Sequence, residues 1–202
     1  DVDTDQVVSA RDSVRAEIGR RLSDRLLRIW RETAETGLYS PDPSSTARRA
    51  LRYAALQLMM FGSREDAIRL ALDELARPAS MSAEIGALTA LVQAESEERE
   101  TALAGFHARH SGDHLLIDKW FMLHSQCIGA GAAGRIAALT QHGDFDWKTP
   151  NRVYALLAGF TAGNASGFNA RDGLGYAIIA DAILQLDGIN PQVAARVATG
   201  FR

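Results

Sequence analysis

Cysteine occurs once in the 202 residues, at position 127, so no disulfide can close within the chain and its fold rests on packing. A cytoplasmic, reducing compartment is the simplest setting for such usage. Lysine occurs only at positions 119 and 148. Arginine therefore supplies nearly all the positive charge, and with a net charge of −3 no global nucleic-acid footprint arises. Long hydrophobic runs are missing as well. Arg, Asp, Glu or Gly punctuates every apolar stretch before it approaches the roughly 18 residues of a membrane span. The period-two alternation of a half-buried strand is absent throughout. So is HExxH, the helical pair of histidines with an intervening glutamate that zinc hydrolases use to hold the metal and take a proton from bound water.

What remains is 47% hydrophobic and 23% charged, enough for one sizeable core. The densest basic stretch, "RDSVRAEIGRRLSDRLLRIWR" (11–31), is interrupted by Asp12, Glu17 and Asp24, and Glu17–Arg21 and Asp24–Arg28 form favourable i,i+4 pairs. It reads as a solvated helix face. Val14, Ile18, Leu22, Leu26, Ile29 and Trp30 recur every three or four positions and predict one helix ending at Gly37. "YSPDPSS" (39–45) is turn chemistry that offers Asp or Ser as a cap. The next helix carries Ala47, Leu51, Ala54 and Leu58 on its predicted inner face, and another runs from Arg64 to Ala76, halted before Pro78.

Further periodic segments span about Ser80 to Gln93, Glu95 to His110, Asp113 to Gln126, Gly131 to Gln141, Pro150 to Ala162 and Gly175 to Leu186. Thr149-Pro150 and Asn190-Pro191 each read as an N-cap followed by proline at the first helical position. "GNASGFNARDGLG" (163–175) reads as a loop pinned to the core by Phe168. Helices beginning near positions 44, 80, 113 and 150 recur at about 35 residues with one more helix in each interval, the rhythm of stacked helix pairs. The predicted fold is all-α, an α-superhelix of stacked pairs of the armadillo or HEAT kind, with an irregular bundle as the alternative. The chain opens on Asp1 rather than methionine and closes at Arg202 soon after its last helix is established, which leads us to expect a domain cut from a larger protein and truncated at its C-terminal end. Val193, Val197 and Phe201 in that last segment are expected to want a further partner, because a terminal unit needs a polar cap.

No complete catalytic apparatus emerges. His107, His110 and His114 in "HARHSGDH" are the nearest approach to a metal cluster, but no glutamate occupies the general-base position and a solvent-facing set is the better reading. Cys127 with His124 three residues before it reads as a small buried residue rather than a nucleophile and base. "GAGAAGR" (129–135) lacks the preceding strand and the Lys-Ser/Thr of a phosphate loop, and "DGLGY" (172–176) lacks the spaced carboxylates of a calcium loop. Trp120 and Phe121 fall at core spacing, and Asp118-Lys119 reads as a surface pair.

Several stretches carry more than pattern. "DVDTDQVVSARDSVRAEI", "GLYSPDPSSTARRALRYAAL" (37–56), "LIDKWFML" (116–123), "TPNRVYALLAGFTAGN" (149–164) and "FNARDGLGYAIIADAILQLDGINPQVAARV" (168–197) resemble, in collinear order, the C-terminal helical domain of bacterial aminopeptidase N, the zinc alanyl aminopeptidases. The last two stretches are the most specific. The resemblance implies an N-terminal β domain, a thermolysin-like domain bearing HExxH and a downstream glutamate ligand, and a small β-sandwich ahead of this helical domain. On that basis residues 1–202 are a single helical domain of a multidomain enzyme, non-catalytic alone, with zinc in the parent enzyme and no cofactor in this piece. Its implied partners are the catalytic domain of the same chain and peptide substrates, with neither nucleic acid nor membrane.

The resemblance further implies a bowl of stacked helices that closes over the catalytic cleft and admits only peptides with a free N-terminus, in an enzyme of cytoplasmic peptide turnover. It places Arg196, in "NPQVAARV", and Arg152, in "TPNRVY", among residues facing an internal cavity. A guanidinium there can attract peptide carboxylates or carbonyls, and it can equally satisfy carbonyls within the helical stack. Tyr154 stands where bacterial relatives often carry a second arginine, which implies lower cavity charge. The alternative from another class is a free-standing helical-repeat adaptor that binds a protein partner on its concave face. An upstream HExxH in the same reading frame separates the two, since an adaptor has no use for it.

Overall fold

The computed structural model describes residues 3–202, and among them every regular element is helical. They fall into two compact units, Gln6–Ala102 and Leu103–Arg202, the latter together with residues 3–5.

In the first unit, α1 (Thr4–Arg21) and α2 (Ser23–Glu32) replace the single helix predicted from Val14 to Gly37, and the second of them stops at Glu32, short of that glycine. The chain breaks at Leu22, whose φ of −107° and ψ of 15° leave the helical region. Leu26 and Trp30 are buried beyond the break, whereas Val14 before it is 60% exposed. The inward contact of α1 is made by a glycine instead. Gly19 lies against α3 (Pro43–Gly62) so closely that a Cβ there would stand 2.6 Å from the Leu58 carbonyl oxygen and 2.9 Å from Gly62 Cα.

Helix α3 starts as its turn chemistry predicts: the Asp42 carboxylate accepts from the N–H groups of Ser44 and Ser45 at 2.9 and 3.0 Å, with Pro43 at the first position. Its buried face, however, matches the predicted one only at Leu58, which packs against the core. Ala47, Leu51 and Ala54 face outward, and Arg49, Arg52, Tyr53, Leu56, Met59 and Met60 face inward. The arginines are tolerated inside because acidic partners meet them. Arg49 pairs with Glu35 at 2.8 Å and donates to the Ser40 carbonyl. Arg52 pairs with Glu74 at 2.6 Å, donates to the Trp30 carbonyl and lays its guanidinium 3.5 Å from the centre of the Trp30 ring. Tyr53 donates its hydroxyl to Glu74 at 2.9 Å, and burial followed by that carboxylate pushes its phenol well above the usual range. Helices α4 (Arg64–Ala76) and α5 (Met81–Leu91) pack against α3 and close a core of Leu56, Met60, Ala67, Ala71, Ala87 and Leu91.

Helix α6 (Glu97–His110) leads into the second unit, which continues through α7 (His114–Ser125) and α8 (Ala132–Leu139). The helix predicted from Pro150 is present with its middle rewound: α9 (Pro150–Val153) passes into a π-helical segment, Tyr154–Ala158, and then into α10 (Gly159–Gly163). Thr149 holds the N-cap position of α9, but its hydroxyl donates to Asp146 at 2.8 Å rather than capping the helix. The predicted loop 163–175 contains a helical turn, α11 (Ala165–Phe168), fixed by buried Asn164, which donates to the Ser125 and Cys127 carbonyls and accepts from Gly167 N–H. Phe168 pins it as expected, being 3% exposed. Gly173, at φ +71°, turns the chain into α12 (Leu174–Asp187).

Helix α13 (Pro191–Ala198) opens on Asn190, whose side chain accepts from the N–H groups of Gln192 and Val193. It packs on α12, and Val193 and Val197 are buried there, against the expectation that they lack a partner. Only Phe201 of that trio stays open, at 47% exposure, with its ring against Phe168 and Tyr176. Trp120 and Phe121 are core residues, as their spacing predicts.

Candidate functional site

Pro150 sets the start of α9, and the first turn after it drives Arg152 inward until it is 5% exposed. Its Nε donates to the Asp118 carboxylate at 2.5 Å, and its terminal nitrogens donate to the carbonyls of Asp144 and His114. The guanidinium carbon stands 5.3 Å from the centre of the Phe121 ring. Asp118, predicted as half of a surface pair with Lys119, is instead 18% exposed and committed to Arg152. The separation of 34 residues hides that pairing from any local reading.

Two residues later the π-helical segment begins, and its first member is Tyr154, which is half-buried. A π turn displaces side chains from α-helical register, a device frequent at functional positions. The guanidinium of Arg196, an exposed residue of α13, lies 4.9 Å from the centre of the Tyr154 ring, within cation–π range. The structure thus brings Arg196 and Tyr154 together with Arg196 open to solvent, and sets Arg152 beneath the surface with its donors on protein oxygens.

The three histidines read together in the sequence part company. His110 lies against Phe106, with ring centres 4.6 Å apart, and His114 contributes its carbonyl to Arg152. His107 turns its Nε2 to Asp144 Oδ2 at 2.6 Å, beside His142. Sequence reasoning missed His142 and Asp144; the signal was "HGDFD" (142–146), three liganding residues within five positions of a turn-rich segment. The His107 contact is the largest of the influences that hold the Asp144 carboxyl below its ordinary value. Cys127 is 1% exposed with its Sγ directed at the Leu123 carbonyl, which makes it the buried small residue expected rather than a nucleophile.

These residues sit in a recognised class of helical domain. Residues 1–202 match a family model described as a domain of unknown function (DUF3458_C) with ARM repeats, and the chain belongs to that family. The stacked-helix reading of the sequence is thereby met, and the resemblance to bacterial aminopeptidase N is met by whole relatives. The chain is 35% identical over 189 residues to aminopeptidase N of Caulobacter vibrioides, covering 94% of this chain and 22% of that protein. It is 28% identical over 196 residues to aminopeptidase N of Escherichia coli K12, covering 97% of this chain and 22% of that protein. The chain thus spans 22% of the length of these curated relatives. A crystal structure of Legionella pneumophila aminopeptidase A in complex with aspartic acid shares the fold, with a TM-score of 0.87 and 24% identity over 99% of this chain and 24% of that one. No described helix is long and apolar enough to cross a membrane.

Proposed function

We propose that residues 1–202 form one domain of a zinc-dependent aminopeptidase of the aminopeptidase N type, non-catalytic by itself, which closes over the catalytic domain of the same chain and limits access to peptides with a free N-terminus. The observation that supports this best is the collinear similarity to aminopeptidase N over 94% of the chain and more, against 22% of the relatives' length. The described residues do not make up the family's catalytic zinc centre: HExxH is absent, and the one described grouping of three potential ligands, His107, His142 and Asp144, has no glutamate base within it, so any metal there is not the catalytic one. No catalytic step is therefore assigned to this chain. The setting is cytoplasmic peptide turnover, with peptides as substrates and neither nucleic acid nor membrane as partner.

Within this reading Arg196 meets the peptide. It is exposed and always charged, and the Tyr154 face beneath it restricts where the guanidinium can go, so a peptide carboxylate or carbonyl finds a partly ordered fork of donors. Arg152 supports that surface from below by fixing the start of the helix that carries Tyr154. Arg196→Ala in the full-length enzyme is expected to raise KM for tetrapeptides more than for a single-residue amide, because only the longer substrate reaches the arginine. Equal changes in KM for the two substrates would sink the assignment. A native protein of this chain's own size, without aminopeptidase activity, would favour the adaptor instead.

A further inference from the structure

We propose that His107, His142 and Asp144 form a binding site for a divalent transition metal, zinc being the best fit, which clips the segment between α8 and α9 to α6. One potential ligand atom from each residue lies within 4.8 Å of the others. Asp144 Oδ2 stands 2.6 Å from His107 Nε2 and 3.7 Å from His142 Nδ1. Tetrahedral zinc with bonds of about 2.0–2.1 Å separates its ligand atoms by about 3.3 Å, so the two distances to Asp144 bracket the requirement, and rotation of the half-exposed side chains by about an ångström brings all three atoms onto one ion. Two imidazoles and one carboxylate suit zinc and its neighbours, whereas calcium and magnesium demand mostly oxygen.

The ligands are also held in place before any metal arrives. The rings of His107 and His142 lie 4.6 and 5.1 Å from the Trp120 ring and 5.3 Å from each other, so Trp120 backs both. Arg152 grips the carbonyl of Asp144, and Phe145, next in the chain, is buried. Without metal, the His107 contact to Asp144 and the donation from Asp144 N–H to His142 Nδ1 at 3.2 Å occupy the same atoms; the metal replaces both. The side chains of the three residues are 26%, 35% and 38% exposed, which leaves a path for the ion and room for water as a fourth ligand.

The test uses the full-length natural chain that carries these residues, dialysed against micromolar zinc. His107→Ala and Asp144→Asn are each expected to lower the zinc content by one equivalent relative to the parent protein and to weaken zinc binding at this site at least about 100-fold. Unchanged zinc content in variants with unchanged circular dichroism overturns the proposal. Should a variant fail to fold, hydrogen exchange of the unaltered protein decides: zinc is expected to slow exchange of the amides in residues 140–149, and exchange there that ignores saturating zinc overturns the site.

Discussion

The two units use buried arginine for different ends. In Gln6–Ala102, Arg49 and Arg52 project from one helix to carboxylates 14 and 22 residues away, Glu35 and Glu74, and the latter joins α3 to α4. In Leu103–Arg202, Arg152 holds a carboxylate on α7 and two backbone carbonyls, one of them in the irregular segment between α8 and α9. Arg52 ties regular helices to each other and Arg49 anchors α3 to the connection that precedes it, whereas Arg152 shapes the segment on which His142 and Asp144 sit. A buried guanidinium is therefore no guide by itself to function. What matters is whether the groups it orders are helices or the side chains of a site.

The largest expected effect separates these roles. Arg52→Ala leaves Glu74 without its cation in a mostly buried position and is expected to lower the free energy of unfolding by about 3–5 kcal/mol, read from denaturant titration. Arg152→Ala is expected to raise hydrogen exchange across residues 140–149 more than in α3 or α4, since the lost donors served that segment. If both variants raise exchange in the same amides, the contrast between the units fails.

A smaller contrast lies in the glycines. Gly62→Ala thrusts a Cβ into the backbone of Gly19 and is expected to destabilise by about 1–3 kcal/mol. Gly134→Ala, inside α8 with nothing near its added carbon, is expected to be neutral or to stabilise by up to about 1 kcal/mol. Thermal unfolding of the pair checks both signs.

The smallest effect concerns the caps. The hydroxyl and N–H of Ser45 lead the interactions that hold the Asp42 carboxyl well below its ordinary value. A group with a depressed folded pKa contributes fully above the unfolded value, near 3.9 for aspartate, and loses that contribution as pH falls through the folded value. Amide protection at Ser44 and Ser45 is therefore expected to weaken below about pH 4. Protection at the start of α13 should not follow, because its cap, Asn190, has no proton to gain. Exchange measured across that range compares the two ends directly.

Much of the helical order was legible because its signals are local. Asp42-Pro43 and Asn190-Pro191 cap where the sequence places a cap, Thr149 takes the N-cap position without the cap bond, the segments read from Ser80 and Asp113 begin there, and α4 begins and ends as predicted. The inner face of α3 was not legible. Leu51 and Leu58 supplied an apolar stripe, while the arginines that belong inside are excluded by any rule that omits their distant partners. The same limit hid Asp118 behind Lys119 and split His107 from His142 and Asp144, since each pairing spans more than 30 residues. Arg196 and Tyr154 entered through family resemblance; their mutual contact depends on α13 meeting the π segment, which no spacing announces.

That π segment has an evolutionary consequence. A stretch with i→i+5 bonding amounts to an α-helix that has absorbed an extra residue without lengthening either flanking loop. Side chains beyond Ala158 are consequently turned by about 100° from the register that Pro150 establishes. A related chain that lacks the insertion would align without a visible gap at its helix ends, yet it would present a different neighbour to position 154. Descent could thus remodel the surface around Tyr154 by a single codon gained or lost, with every contact residue unchanged in kind.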